Sequence, residues 1–150
     1  MNKQYPRLER AAGLYLKPTP TKGRGVFCDH DLKKGTVLEV TPALILNEDA
    51  TDHIDKTRLV NYTFTVGKLT KSLAKKKKLK DVSQASCVIM GLMSYCNHSE
   101  KPNAEIVWEE KLGTVYHTLQ VTRDIPKHTE ICTSYGAGWF DDRKEMFSGK

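Results

Sequence analysis

The chain has 150 residues, enough for one hydrophobic core, and its apolar share of 39% beside a charged share of 28% suits a globular fold with a well-charged surface. No apolar run approaches membrane-spanning length, Cys87 to Met93 being the best on offer. The charged opening Met1 to Arg10 has no apolar stretch after it, so neither a membrane span nor a secretory signal is expected. The net charge is +6, but the stretch Lys75–Lys80 holds five lysines, so the rest of the chain carries only about +1.

In chain order, Leu14–Lys17 reads as a strand ended by Pro18 and Pro20. Lys22-Gly23-Arg24-Gly25 is a turn, followed by the short apolar strand Val26–Cys28. Leu32–Gly35 turns into a strand over Thr36–Val40, and Ala43–Leu46 reads as another, separate strand. Asn61–Val66 alternates as a strand before Gly67. The spacing of Ala85, Val88, Ile89, Leu92 and Met93 predicts a helix from Val82 to Tyr95, capped by Asp81 or Ser83. Beyond Pro102, strands are expected at Ala104–Trp108 and Thr114–Val121, joined through the loop Glu109–Gly113. A last short strand covers Ile131–Tyr135, and a closing helical turn is expected over Phe140–Phe147. Many short strands with one helix point to a mostly-β fold rather than a βαβ nucleotide-binding unit.

The four cysteines, Cys28, Cys87, Cys96 and Cys132, lie far apart, with no C-x-x-C pair or other zinc-like spacing. They are expected as reduced, mostly buried thiols with no metal. His117 and His128 have no evident partner in the sequence. The lysine run reads either as a solvated surface or as a contact to nucleic acid or another acidic surface.

Three short segments can carry chemistry. Gly23-x-Gly25 alone is a turn that lets a backbone approach a ligand closely. Asn97-His98-Ser99-Glu100-Lys101-Pro102-Asn103 places polar side chains directly after an apolar stretch, where they can tie backbone groups. Ser134-Tyr135-Gly136 puts a tyrosine at a strand end, by itself a packing position.

Together these segments resemble the SET-domain lysine methyltransferases. Lys22-Gly23-Arg24-Gly25-Val26-Phe27 is similar to the family's opening G-x-G-V-F/Y. Leu32 to Glu39 resembles the strand that follows it. Tyr95-Cys96-Asn97-His98-Ser99 with Pro102-Asn103-Ala104 resembles the N-H-S-x-x-P-N-A signature, and Glu130-Ile131 with Ser134-Tyr135-Gly136 resembles the closing motif. The likeness is nearest to the minimal viral and bacterial SET proteins, which lack a post-SET zinc cluster; no cysteine follows Cys132. Two positions depart from the pattern: His128 stands where glycine is usual, and Ser94 where arginine is frequent.

The resemblance implies a β-clip-like fold of several small sheets with a knot-like C-terminal crossing. It would be a single SET domain over 1–150, with an extension at 1–12, a core at 13–140 and a tail at 141–150. It implies transfer of a methyl group from S-adenosylmethionine to a lysine side chain. Tyr135 would be the catalytic tyrosine, with Tyr62 lining the lysine channel. Gly23, Arg24, Gly25, Tyr95, Asn97 and His98 would hold the cofactor, and Trp139 or Phe140 would cover it. Thr133 stands where some relatives place an aromatic residue that sets the number of methyl groups. The expected partner is a protein with an exposed lysine, such as a histone-like basic tail, with nucleic-acid contact through Lys75–Lys80 as a further reading. A monomer is assumed, cytoplasmic in a microbe and nuclear in a eukaryotic or host cell. Two alternatives stand beside this: an inactive SET-like binding module and a small nucleic-acid-associated basic protein.

Overall fold

Alternation marks several of the strands. In Thr114–Val121, Val115, His117, Leu119 and Val121 are buried while the residues between them are only partly so. The computed structural model describes residues 6–67, 69–80 and 84–141, with Gln84 described by its backbone alone. Its strands are β1 (Glu9–Arg10), β2 (Leu14–Pro18), β3 (Arg24–Cys28), β4 (Val37–Ile45), β5 (Thr63–Gly67), β6 (Gln84–Ile89), β7 (Asn97–His98), β8 (Ala104–Lys111), β9 (Thr114–Val121) and β10 (Glu130–Thr133). Two short helices, α1 (Glu48–Ile54) and α2 (Lys71–Lys76), and two 3-10 turns, Arg58–Tyr62 and Leu92–Tyr95, complete the described elements. None of the described helices is long and apolar enough to cross a membrane.

The larger sheet has the order β5-β6-β4-β9-β8, with β1 added beside β4. The smaller has the order β2-β3-β10-β7, its last pair parallel. Leu38, Met93, Leu119 and Ile131 fill the core between them, each almost wholly buried. The segment after β7 is sewn along β10: Ser99 N–H donates to the Thr133 carbonyl at 3.0 Å, and Asn103 N–H to the Cys132 carbonyl at 3.2 Å. The Asn103 side chain closes the seam, Nδ2 donating to the Glu130 carbonyl at 2.8 Å and Oδ1 accepting from Cys132 N–H at 2.8 Å. This is the expected crossing of the 97–103 segment with the closing strand.

The expected helix from Val82 to Tyr95 is wrong. Residues 81–83 lie outside the described residues; from Gln84 to Ile89 the chain is strand β6, then Gly91 in extended backbone leads into the 3-10 turn. Ala85, Cys87 and Ile89 are buried alternately, a period of 2 that coexists with the period of 3.6. Two free edges, β5 and β4, then satisfy the backbone of β6 on both sides, which no local propensity could foretell.

The two strands expected at Thr36–Val40 and Ala43–Leu46 are one, β4. Its ladder to β6 begins only after Pro42, at Ala43, so the proline sits in a gap between β1 and β6. The expected strand Asn61–Val66 starts only at Thr63, because Tyr62 closes a 3-10 turn. The Glu109–Gly113 loop shrinks to Leu112 and Gly113, both at positive φ. The closing helical turn falls beyond Asp141, outside the described residues.

Two helices escaped the sequence reading. Helix α1 buries no side chain, so it shows no apolar period; Asn47 caps it by accepting from Ala50 N–H at 2.9 Å. Helix α2 is capped by Thr70, whose hydroxyl accepts from Leu73 N–H, and it ends in a Schellman turn with Lys78 at φ 56.

Candidate active site

The residues singled out from Gly23 to Tyr135 meet where the two sheets approach each other. Asn97 Nδ2 donates to the Arg24 carbonyl at 3.1 Å and to Glu130 Oε1 at 2.7 Å, joining the glycine hairpin to the signature and to β10. The bare Cα of Gly25 makes room for Glu130: a Cβ there would stand 2.4 Å from Glu130 Oε1. Gly23 has φ +72, the left-handed turn that glycine alone adopts cheaply. Glu130 is thus a site residue that the sequence reading passed over; its only signal was its place in the closing motif.

His98 Nδ1 accepts from Tyr135 N–H at 3.1 Å, which leaves the ring proton on Nε2, 3.1 Å from Glu100 Oε1. The Tyr135 hydroxyl donates to the Cys96 carbonyl at 2.9 Å. Burial, with smaller contributions from neighbouring Cys96, Cys132 and Glu130, pushes the phenol up to about 12, so it is a neutral dipole at physiological pH. Around it stand Trp139 with centroids 4.7 Å apart, His98 at 5.4 Å and Phe140 at 6.2 Å. The thiols nearby are poor nucleophiles: burial drives Cys132 to about 11 and Cys96 higher still.

A cavity of about 710 Å³ opens beside Tyr135, lined among others by Phe64, Trp108, Thr133 and Trp139, with Asp55 and Glu105 as its carboxylates. Thr133 Oγ1 is buried in it without a hydrogen-bond partner among the described residues. A second cavity of about 540 Å³, lined by Lys17, Thr19, Phe27 and Glu130, shares no residue with the first. Tyr62 does not line the large cavity; it packs edge-on against Tyr95, 6.1 Å between centroids, and Tyr95 in turn carries the Arg24 guanidinium at 5.2 Å.

The 3-10 turn that delivers Tyr95, Cys96 and Asn97 hangs on one buried carboxylate that sequence reasoning also passed over. Glu39 of β4 accepts from Leu92 N–H at 2.9 Å and Met93 N–H at 3.2 Å, and pairs with Arg10 at 3.1 Å. His117, fully buried, lies 3.4 Å away, an electrostatic contact rather than a formed hydrogen bond. Burial by itself would raise the Glu39 pKa; the His117 contact and the two backbone donors outweigh it and hold the group at about 2. The histidine without an evident partner is therefore half of a buried pair. His128 also finds one: at φ 62 it takes the left-handed place of the usual glycine, and its Nδ1 meets the Tyr15 hydroxyl at 3.0 Å. Ser94 donates to the Ile89 carbonyl at 2.7 Å where the frequent arginine would be.

All four cysteines are free and buried. Cys28, Asp29 and His30 bring three potential ligand atoms within 4.8 Å of one another. Asp29 and His30 are exposed and already paired at 2.8 Å.

The SET domain family model matches residues 23–136. The chain is 30% identical over 137 residues to the Schizosaccharomyces pombe histone-lysine N-methyltransferase specific for H3 lysine-37, covering 90% of this chain and 82% of that one. In fold it resembles the Neurospora SET domain protein DIM-5, a histone lysine methyltransferase, with a TM-score of 0.64 at 21% identity over 85% of this chain and 53% of DIM-5. It also resembles a Plasmodium falciparum protein assigned as a histone methyltransferase, with a TM-score of 0.60 at 23% identity over 85% of this chain and 96% of the other.

Proposed function

The chain belongs to the SET-domain family, and on that premise we propose that it moves a methyl group from S-adenosylmethionine to a lysine in a histone-like basic tail. Its activity is that of a protein-lysine N-methyltransferase, and its substrate is a protein. The observation that carries the reading is Tyr135, a neutral hydroxyl between the large cavity and the Asn97–His98 segment.

The donor set fits a cationic methyl donor with an adenine ring and an amino-acid end. Glu130 has no lysine or arginine in ion-pair reach among the described residues, Thr133 Oγ1 is an unspent buried oxygen, and His98, Tyr135, Trp139 and Phe140 offer aromatic faces. S-adenosylmethionine supplies the methyl group on a positively charged sulfur. Gly23, Arg24 and Gly25 would hold it through the backbone, Tyr95, Asn97 and His98 from the signature side, with Trp139 or Phe140 as cover.

The protein's own part is to prepare the amine. A free lysine is almost wholly protonated at neutral pH, with a pKa of about 10.4. Loss of hydration between Phe64, Trp108 and Trp139, together with the donor's positive charge, would disfavour the ammonium and favour loss of its proton to water, while Asp55 and Glu105 attract the basic segment that bears it. The neutral amine would then form its new N–C bond as the donor's S–C bond breaks, the donor leaving as a neutral thioether, with water excluded. No histidine or carboxylate is hydrogen-bonded to the Tyr135 hydroxyl among the described residues, so its role is to orient and to face developing charge, not to abstract a proton.

Calorimetry with S-adenosylmethionine, then label transfer from methyl-tritiated donor to histone-tail peptides, tests the reading. Binding and label on lysine are expected. Binding with no transfer to any protein would favour the inactive module, and no binding would overturn both.

A further inference from the structure

Among the described residues, one of the five lysines of Lys75–Lys80 is held by an ion pair. Lys80 is ion-paired with Glu48 of α1. Lys75, Lys76, Lys77 and Lys78 form no ion pair among the described residues; three of them are exposed and Lys77 is half-buried. Helix α2 turns Leu73 and Ala74 inward, which leaves Lys71, Lys75 and Lys76 outside. Lys71 and Lys75 stand one turn apart, about 6 Å along the axis. Glu110 of the neighbouring hairpin is already engaged by the Thr70 hydroxyl and N–H at the start of the helix.

Lys78 adds an independent observation. It occupies the left-handed position of the Schellman turn, with Leu79 N–H donating to the Ala74 carbonyl at 3.0 Å and its own N–H to Lys75 O at 3.1 Å. Glycine is the residue that fits this position without strain. A lysine there opposes folding and adds a fourth adjacent cation, which points to a use outside the fold.

We propose that the face made by Lys71 and Lys75–Lys78 docks on double-stranded nucleic acid through its phosphates, holding the enzyme beside a DNA-bound protein substrate. A protein partner would need a contiguous apolar surface to desolvate, and among the described residues of Lys71–Lys80 none is exposed: Leu73 and Ala74 are buried and Leu79 half-buried, with the single exposed Leu112 at the neighbouring hairpin tip. Phosphates need only cations. No aromatic residue is interleaved for stacking on unpaired bases, which favours duplex over single strand. The binding is therefore expected to be sequence-independent and steep in salt. Only the tethering half of the proposal rests on the methyltransferase reading.

The test is fluorescence anisotropy of the full chain with a labelled duplex of arbitrary sequence, over a salt series. The variant with Lys75→Gln, Lys76→Gln, Lys77→Gln and Lys78→Gln should flatten the log–log salt slope by about 3 to 4, and at low salt bind at least about tenfold more weakly. Lys78→Gly should raise the melting temperature yet reduce the slope by about 1, opposite signs that a purely structural lysine cannot give. Methylation of a short lysine peptide should be unchanged in both variants, while methylation of a DNA-bound substrate falls. An unchanged slope in the fourfold variant overturns the proposal, as does equal binding to poly-glutamate, which would mean an acidic protein partner. Equal loss on the short peptide would place the lysines in the active face instead. A wild-type chain that binds duplex but methylates nothing would sink the functional reading and leave the docking surface standing.

Discussion

The crossing between Asn97–Asn103 and β10 and the stretch from Glu48 to Lys80 both keep backbone polar groups paired, by opposite means. In the crossing the partners come from far along the chain: Asn103 alone bridges to Glu130 and Cys132, nearly thirty residues away. In the stretch they come mostly from within a turn: Asn47 to Ala50, Thr57 to Leu59, Thr70 to Leu73. Long-range pairing fixes side chains at the precision that chemistry needs. Local capping leaves a surface free to change, and there the lysines gather.

The largest effect should come from Tyr135→Phe. One oxygen is lost while the ring and its contacts with Trp139 and His98 stay. Turnover at saturating methyl donor should fall about 10²–10³-fold, roughly 3–4 kcal/mol, with donor affinity and melting temperature nearly intact. Tyr62→Phe, outside the cavity and packed on Tyr95, should lose far less. Near-normal turnover in Tyr135→Phe would break the contrast at its centre.

Glu39→Ala should act on stability first, because it removes the carboxylate that accepts from two backbone N–H groups of the 3-10 turn and leaves His117 buried alone. The Glu39 carboxyl is held at about 2 in the folded chain against an ordinary value of 4.5, so its contribution, about 3 kcal/mol, is full above pH 4.5. It is lost as pH falls from there towards 2, and acid denaturation followed by circular dichroism should show this in the wild type and not in Glu39→Gln. Parallel acid profiles for the two would refute the assignment.

Asn97→Ala separates site from scaffold. It removes the links to the Arg24 carbonyl and Glu130, so calorimetry should find donor affinity down about tenfold or more while the melting temperature shifts by only a few degrees. A steep loss of stability with normal affinity would make Asn97 a turn tie and nothing more. The smallest effect belongs to the local region: Thr70→Ala deletes a helix cap and its Glu110 contact, costing about 1 kcal/mol by denaturant melting. Turnover on a short peptide should not move, and a parallel fall in turnover would show that α2 supports the site after all.

What the sequence determined by itself were the groups whose chemistry admits few substitutes: the glycines at Gly23 and Gly25, Asn97-His98, Asn103 and Tyr135. Their spacing survives as a pattern because each must make a particular bond. The strands β8 and β9 were legible because one face of each must be apolar, and β2 and β3 because glycine and proline bound short apolar runs. The tertiary structure alone decided the rest. The run Ala85–Met93 satisfies helix and strand periods together, and only the open edges of β5 and β4 choose between them. Helix α1 buries nothing and leaves no period to read. Glu39 and His117 look like ordinary polar residues until the fold buries them side by side under N–H donors of the 3-10 turn, and Glu130 does so until it meets the Asn97 amide of β7. A buried charge owes its pKa and its role to partners brought from elsewhere in the chain, and sequence spacing carries no record of that distance.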